Sequence, residues 1–138
     1  MTSGTNYRSG RADIDPDIAE WDYGDYEGKL SSDIHIERPD WNIFRDVCPQ
    51  GETPAQVSER ADRLIARLTT LSGNIALFSH GHFLPELAAR WIGLPIDEGQ
   101  PIPPNTTSLS ILSYNPTHPE VRVVSLWNFA PKRFAGCN

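Results

Sequence analysis

The sequence predicts a single α/β domain, and three observations carry that prediction. Residues 54–71 have the cap and apolar stripe of an amphipathic helix. The apolar run at residues 75–79 stops at Ser79-His80 and turns through Gly81 into a second helix over residues 83–91, a strand-turn-helix passage. Residues 106–114 and 121–127 alternate in the strand period on either side of a turn, which predicts a C-terminal antiparallel hairpin.

Taken in order, residues 1–12 show no apolar periodicity and read as a flexible lead-in. Residues 13–20 alternate acids with Ile14 and Ile18 around Pro16, as in a short edge strand that runs into a loop. Between Trp21 and Gly28, Gly24 and Gly28 allow sharp bends while Trp21, Tyr23 and Tyr26 anchor the loop on a core. Short helices are predicted over 30–37 and 40–45, divided at Pro39. Thr53, Pro54 and Gln56 form a capping box, after which Val57, Ala61, Leu64, Ile65 and Leu68 make one buried stripe. Glu59, Arg60, Asp62, Arg63 and Arg67 occupy the other faces, and Gly73 stops the helix. Phe83, Leu84, Leu87, Ala88 and Trp91 share the sheet-facing side of the next helix. In the first strand of the hairpin Thr107, Leu109 and Ile111 fall on one face and Ser108, Ser110 and Leu112 on the other, with Asn115–Pro119 as turn. The domain thus spans 13–127, and residues 128–138 form a tail.

Composition narrows the function. A chain of 138 residues, 38% hydrophobic, suits one core and one domain. A net charge of −6 with no basic run argues against a nucleic-acid surface. The N-terminus is polar and the apolar runs are strand-sized, so neither a membrane span nor a secretion signal is expected, and the reading is cytoplasmic. Cys48 and Cys137 read as two reduced thiols.

An imidazole beside the free N–H groups of a strand-to-helix turn is a place where phosphate binds. His80, Gly81 and His82 are the candidates. His80 and His82 with Glu86 resemble an H-x-H metal pattern, but no further ligand cluster is evident and no metal or other cofactor is expected. Glu20 and Glu27 could be a glycosidase carboxylate pair, against which stands the common fate of acids in such loops, solvation. Asp13, Asp15, Asp17, Asp22 and Asp25 read as exposed polar surface.

Three blocks then carry a resemblance: Glu20-Trp-Asp-Tyr-Gly-Asp-Tyr-Glu-Gly28, Gly51-Glu-Thr-Pro-Ala-Gln56, and Leu77-Phe-Ser-His-Gly-His-Phe83 followed by Leu87-Ala-Ala-Arg-Trp91. In this order, over residues 13–127, they resemble the histidine phosphatases, in the phosphoglycerate-mutase-like branch with its sedoheptulose-bisphosphatase-like small phosphatases. The resemblance implies a three-layer α/β sandwich and metal-free phosphoryl transfer through a phosphohistidine. It implies Glu20 as proton donor to the leaving alcohol and His80 as the second, unphosphorylated histidine. A carboxyl beside a phosphate dianion suits a general acid. Gly81 and His82 would bind phosphate through their N–H groups, Thr107 and Ser108 would line the pocket, and Lys29, Trp41, Phe44 and Arg45 would meet a sugar phosphate.

The chain departs from that pattern at its start. Its four histidines are His35, His80, His82 and His118, and no Arg-His pair occurs, so the strand ending in Arg-His-Gly and the second phosphate-gripping arginine have no counterpart. The expected domain is therefore N-terminally incomplete. In the family layout the missing strand lies between 75–79 and the hairpin, so the remaining strands must close up, expose edges or borrow a strand, and a homo-oligomer through exposed edges is expected. Two functions follow: a phosphomonoesterase for a small phosphorylated metabolite, weak or inactive for want of nucleophile and arginines, or a catalytically silent binding module.

Overall fold

The computed structural model describes residues 4–8, 11–99 and 102–130. Its first element is a hairpin: β1 (Gly4–Arg8) pairs antiparallel with β2 (Arg11–Asp15), Gly4 opposite Asp15 and Arg8 opposite Arg11. An unstructured lead-in had been expected through residue 12. A one-turn 3-10 helix at Pro16–Ile18 follows, begun by the Asp15 carboxylate accepting the Asp17 N–H, and it buries Ile18.

Helix α1 (Ser31–Glu37) forms where predicted. The second short helix, over 40–45, does not: the Asn42 N–H donates to Asp46, and the Asn42 side chain accepts from the Phe44 N–H. Local side chains offer the backbone these partners, and a turn wins over a helix. Helix α2 (Pro54–Leu68) has the full capping box, with Thr53 accepting from the Gln56 N–H and Gln56 from the Thr53 N–H. It buries Val57, Ala61, Leu64 and Ile65 against α3 (Phe83–Trp91), whose Phe83, Leu87 and Trp91 complete a core with Ile18, Trp21, Tyr26, Ile34, Ile43 and Cys48. Cys137 lies outside the described residues.

The C-terminal hairpin joins β3 (Leu109–Tyr114) to β4 (Arg122–Phe129), with register irregularities on both sides of Ile111. The Asn115 side chain holds the turn by accepting from the Thr117 and His118 N–H groups. The hairpin hangs on α3 through Trp91, whose Nε1–H lies 3.2 Å from the Ser113 carbonyl and 3.1 Å from that of Val123. Strand β4 runs to Phe129, so the first two residues of the expected tail belong to the domain, and the tail's residues 131–138 lie outside the described part.

The strand expected over 75–79 is the main difference. These residues follow α2 and lead into α3, but they join no sheet among the described residues. An extended segment becomes a sheet strand only when a neighbour takes up its N–H and C=O groups.

Candidate functional site: an acid on the first turn of α3

Glu20 is brought to the strand-to-helix turn across a long stretch of chain. Its Oε1 accepts the Phe83 N–H at 3.0 Å and that of its neighbour Trp21 at 3.0 Å, and its Oε2 accepts the His82 N–H at 3.3 Å. The carboxylate thereby caps the N-terminus of α3, where the helix dipole favours negative charge. The N–H of His82 that the sequence assigns to phosphate is the one Glu20 holds.

The Tyr23 hydroxyl closes the group. It lies 2.6 Å from His82 Nδ1, and the Glu20 charge acts on it. Burial, reinforced by the charges of Glu20 and Glu27, holds the Tyr23 pKa well above the usual phenol range, so the phenol keeps its proton. Tyr23 also meets the His82 ring edge-on at 5.6 Å, and Phe44 stands 6.2 Å away on another side.

Two residues outside the sequence-predicted site hold the acid in place. Arg60, expected on an exposed face of α2, is 7% exposed. Its guanidinium grips Glu52 with two bonds of 2.9 Å, donates to the carbonyls of Asp17 and Ala19, and lies over the Phe83 ring 4.4 Å from the centroid. A long cation on the edge of an apolar stripe was the available signal, and only the acceptors that converge on it show why it is buried. Glu52 in turn accepts the Asp22 N–H, while its carbonyl accepts Trp21 Nε1–H. Loop 20–28 is locked further by Gly24 (φ +52), where a Cβ would sit 2.2 Å from the Pro49 carbonyl oxygen.

Ser79, in the loop entering the site, donates its hydroxyl to the Ile18 carbonyl at 2.7 Å. Gly81 is exposed and open, with nothing within 4 Å of a Cβ built on it. Thr107 takes a positive φ of 60° in the turn before β3, and its hydroxyl donates to Thr106, while that of Ser108 donates to Asn105. Both hydroxyls are therefore engaged within their own turn. Of the expected sugar-contacting residues, Phe44 stands beside His82, whereas Lys29 sits over the Tyr26 ring, Trp41 packs on Tyr26, and Arg45 pairs with Asp46. Glu27, the other half of the alternative carboxylate pair, accepts the Tyr23 N–H and braces the loop.

The acidic stretch is also less solvated than expected. Asp17 bonds to Arg63 and Arg67, and Asp15 to Arg67. Partial burial raises the Asp17 pKa, but the hydrogen bonds from Arg67 and Arg63 outweigh it and the net shift is downward. Among the described residues no three His, Cys, Asp or Glu side chains are grouped to hold a metal, and no helix is long and apolar enough to cross a membrane.

Comparison with known proteins agrees with the resemblance. The profile of the histidine phosphatase superfamily (branch 1) matches residues 5–127. An acid phosphatase of Mycobacterium tuberculosis is 42% identical over 99 residues, covering 70% of this chain and 49% of that protein. Sedoheptulose 1,7-bisphosphatase of Saccharomyces cerevisiae is 41% identical over 106 residues, covering 64% of this chain and 39% of the relative. The chain thus spans half or less of the length of these curated relatives. The solved structure of the open reading frame Rv3214 from M. tuberculosis superposes with a TM-score of 0.77 at 34% identity, over 85% of this chain and 60% of that one. The fold is accordingly an α/β sandwich of phosphoglycerate-mutase type that ends in an antiparallel hairpin. A profile match over nearly the whole chain and a shared architecture lead to one conclusion: this chain belongs to the histidine phosphatase superfamily, branch 1.

Proposed function

We propose that this chain supplies the acid-and-imidazole half of a phosphomonoesterase site acting on a small phosphorylated metabolite, with a sugar phosphate as the substrate class. The observation that carries the reading is the convergence of Glu20 with His82 and Phe83 at the first turn of α3, next to His80. In this reading Glu20 protonates the leaving alcohol, His80 and the N–H groups of Gly81 and His82 stabilise the phosphoryl oxygens, and Thr107 and Ser108 close the pocket. Glu20 must give up the His82 amide for a phosphate to take it. The names of the relatives, an acid phosphatase and a sedoheptulose 1,7-bisphosphatase, support the substrate class.

The same chain acting alone is weak or inactive in this proposal. It contains no Arg-His pair to serve as nucleophile and clamp. Among the described side chains the arginines are already engaged: Arg60 with Glu52, Arg63 and Arg67 with Asp17, Arg90 with Asp62, Arg45 with Asp46, Arg38 with Tyr26 and Arg122 with the Trp91 ring. That commitment favours the second reading, a silent module that keeps the scaffold. We place either form in the cytoplasm, supported by the sparse cysteines. Self-association through exposed sheet edges accompanies both readings, supported by the unladdered 75–79 segment, and sedimentation over a range of concentrations measures it.

Hydrolysis of p-nitrophenyl phosphate by the full chain, by Glu20→Ala and by His80→Ala separates the readings. Turnover lost in both variants supports the phosphatase, whereas no turnover by the parent at any concentration supports the silent module.

A further inference from the structure

The imidazole of His82 is held in place although it is exposed. Its Nδ1 lies 2.6 Å from the Tyr23 hydroxyl, and the two rings meet edge-on at 5.6 Å. Phe44 flanks the imidazole at 6.2 Å and in turn meets the buried Trp21 edge-on at 5.9 Å. An exposed side chain ordinarily changes rotamer within nanoseconds. This one is tied to the core on two sides.

The hydrogen bond also decides which ring nitrogen carries the proton. The phenol keeps its proton, because burial first and then the charge of Glu20 disfavour the phenolate. Among the described residues Nδ1 is the hydrogen-bond partner of that hydroxyl, while the Glu20 oxygens accept the N–H groups of Trp21, His82 and Phe83. The phenol therefore donates to Nδ1, and the neutral ring carries its proton on Nε2. Nε2 is at the tip of the exposed side chain and makes no hydrogen bond among the described residues. The result is an uncharged N–H donor beside the turn that the sequence assigns to phosphate.

An uncharged donor suits an uncharged acceptor. The loop that carries Tyr23 also carries Glu20, Asp22, Asp25 and Glu27, so a second anionic group on a ligand would be repelled there, whereas a hydroxyl oxygen would not. We propose that His82 is a specificity-determining residue whose Nε2–H donates to a hydroxyl on the organic part of a phosphorylated substrate, and that Tyr23 is the positioning residue that fixes its tautomer and its aim. The contact rests on the proposed phosphatase reading, because it needs the phosphate seated at 80–83. The tautomer does not.

The probes are ribose 5-phosphate and cyclopentylmethyl phosphate, which share a five-membered ring and a phosphate and differ in their hydroxyls. Each is titrated into the full chain and followed by NMR at the amides of 80–83. The ratio of the two affinities should shift against ribose 5-phosphate by about fivefold to tenfold in His82→Phe, the worth of one hydrogen bond. His82→Gln, whose amide N–H can replace Nε2–H, should restore part of it, and Tyr23→Phe should lose part of it with the aromatic contacts kept. Nitrogen NMR of the rings, above the pH at which histidine protonates, should show His82 as the Nε2–H form in the parent and a mixture in Tyr23→Phe. An Nδ1–H form in the parent overturns the proposal, and so does an unchanged affinity ratio in His82→Phe, which leaves the phosphatase reading standing. A parent that binds neither phosphate sinks that reading and the contact with it.

Discussion

The Glu20 carboxylate accepts the Phe83 backbone N–H at 3.0 Å, so the acid and the first turn of α3 form one mechanical unit. Glu20→Ala removes that cap, and the expected loss is about 1 kcal/mol of stability. Urea denaturation checks it: an unchanged midpoint would show that the contact carries no stability. Glu20→Gln, which still accepts through its amide oxygen, should lose less.

Arg60 and Glu52 make the joint on which that unit turns. Arg60→Met leaves Glu52 and the Asp17 and Ala19 carbonyls without their donor, and should cost about 3 kcal/mol or more. Arg60→Lys keeps the charge but loses the two-pronged grip, so it should recover only part of the difference. A double-mutant cycle with Glu52→Gln should give a coupling well above that of surface pairs such as Arg45 with Asp46.

Glu86 is fully buried, and neither of its oxygens has a hydrogen-bond partner. Burial, with the nearby charge of Asp97, pushes its pKa up to about 9 from an ordinary 4.5. Below pH 4.5 the carboxyl is protonated both folded and unfolded, so it imposes no pH-dependent penalty. As pH rises from there toward 9 the unfolded chain releases a proton that the folded one keeps, and stability falls by up to about 1.4 kcal/mol per unit. Glu86→Gln should therefore be more stable than the parent at pH 8, with the advantage shrinking toward pH 5. Equal melting temperatures across that range would refute the buried, protonated state.

Gly24 holds a positive φ of 52° with its α-carbon hydrogens against Pro49 and Gly51. Gly24→Ala places a methyl group 2.2 Å from the Pro49 oxygen, so loop 20–28 must lift from residues 48–52. The expected cost exceeds the roughly 1 kcal/mol of an ordinary glycine substitution, and the Trp21 fluorescence should shift because the loop carries that buried ring.

Tyr23→Phe removes the hydroxyl that holds His82 through Nδ1. Histidine NMR should then show the His82 ring averaging over orientations, with the fold intact because the aromatic body is kept. A His82 resonance that does not change would show that the ring is held by its aromatic neighbours alone.

Local patterns carried much of the fold. The capping box at Thr53, the stripe on α2, the extent of α3 and the Asn115 turn each depend on residues within a few positions of one another, and a linear reading reaches them. The turn at 40–45 escaped because Asn42 and Asp46 compete with the helix through their side chains, and the first hairpin because its sequence is polar and its pairing lies in the backbone.

By itself the sequence determined the α/β class, the family blocks and the candidacy of Glu20 and His80–His82, since each is written in contiguous residues. Tertiary structure alone decided that Glu20 spends its oxygens on the amides of α3, that Arg60 is buried beneath it, and that 75–79 stands without a ladder. The physical reason is that a charge is buried, or a strand paired, only by groups that other parts of the chain bring to it, and no local pattern encodes whether those groups arrive.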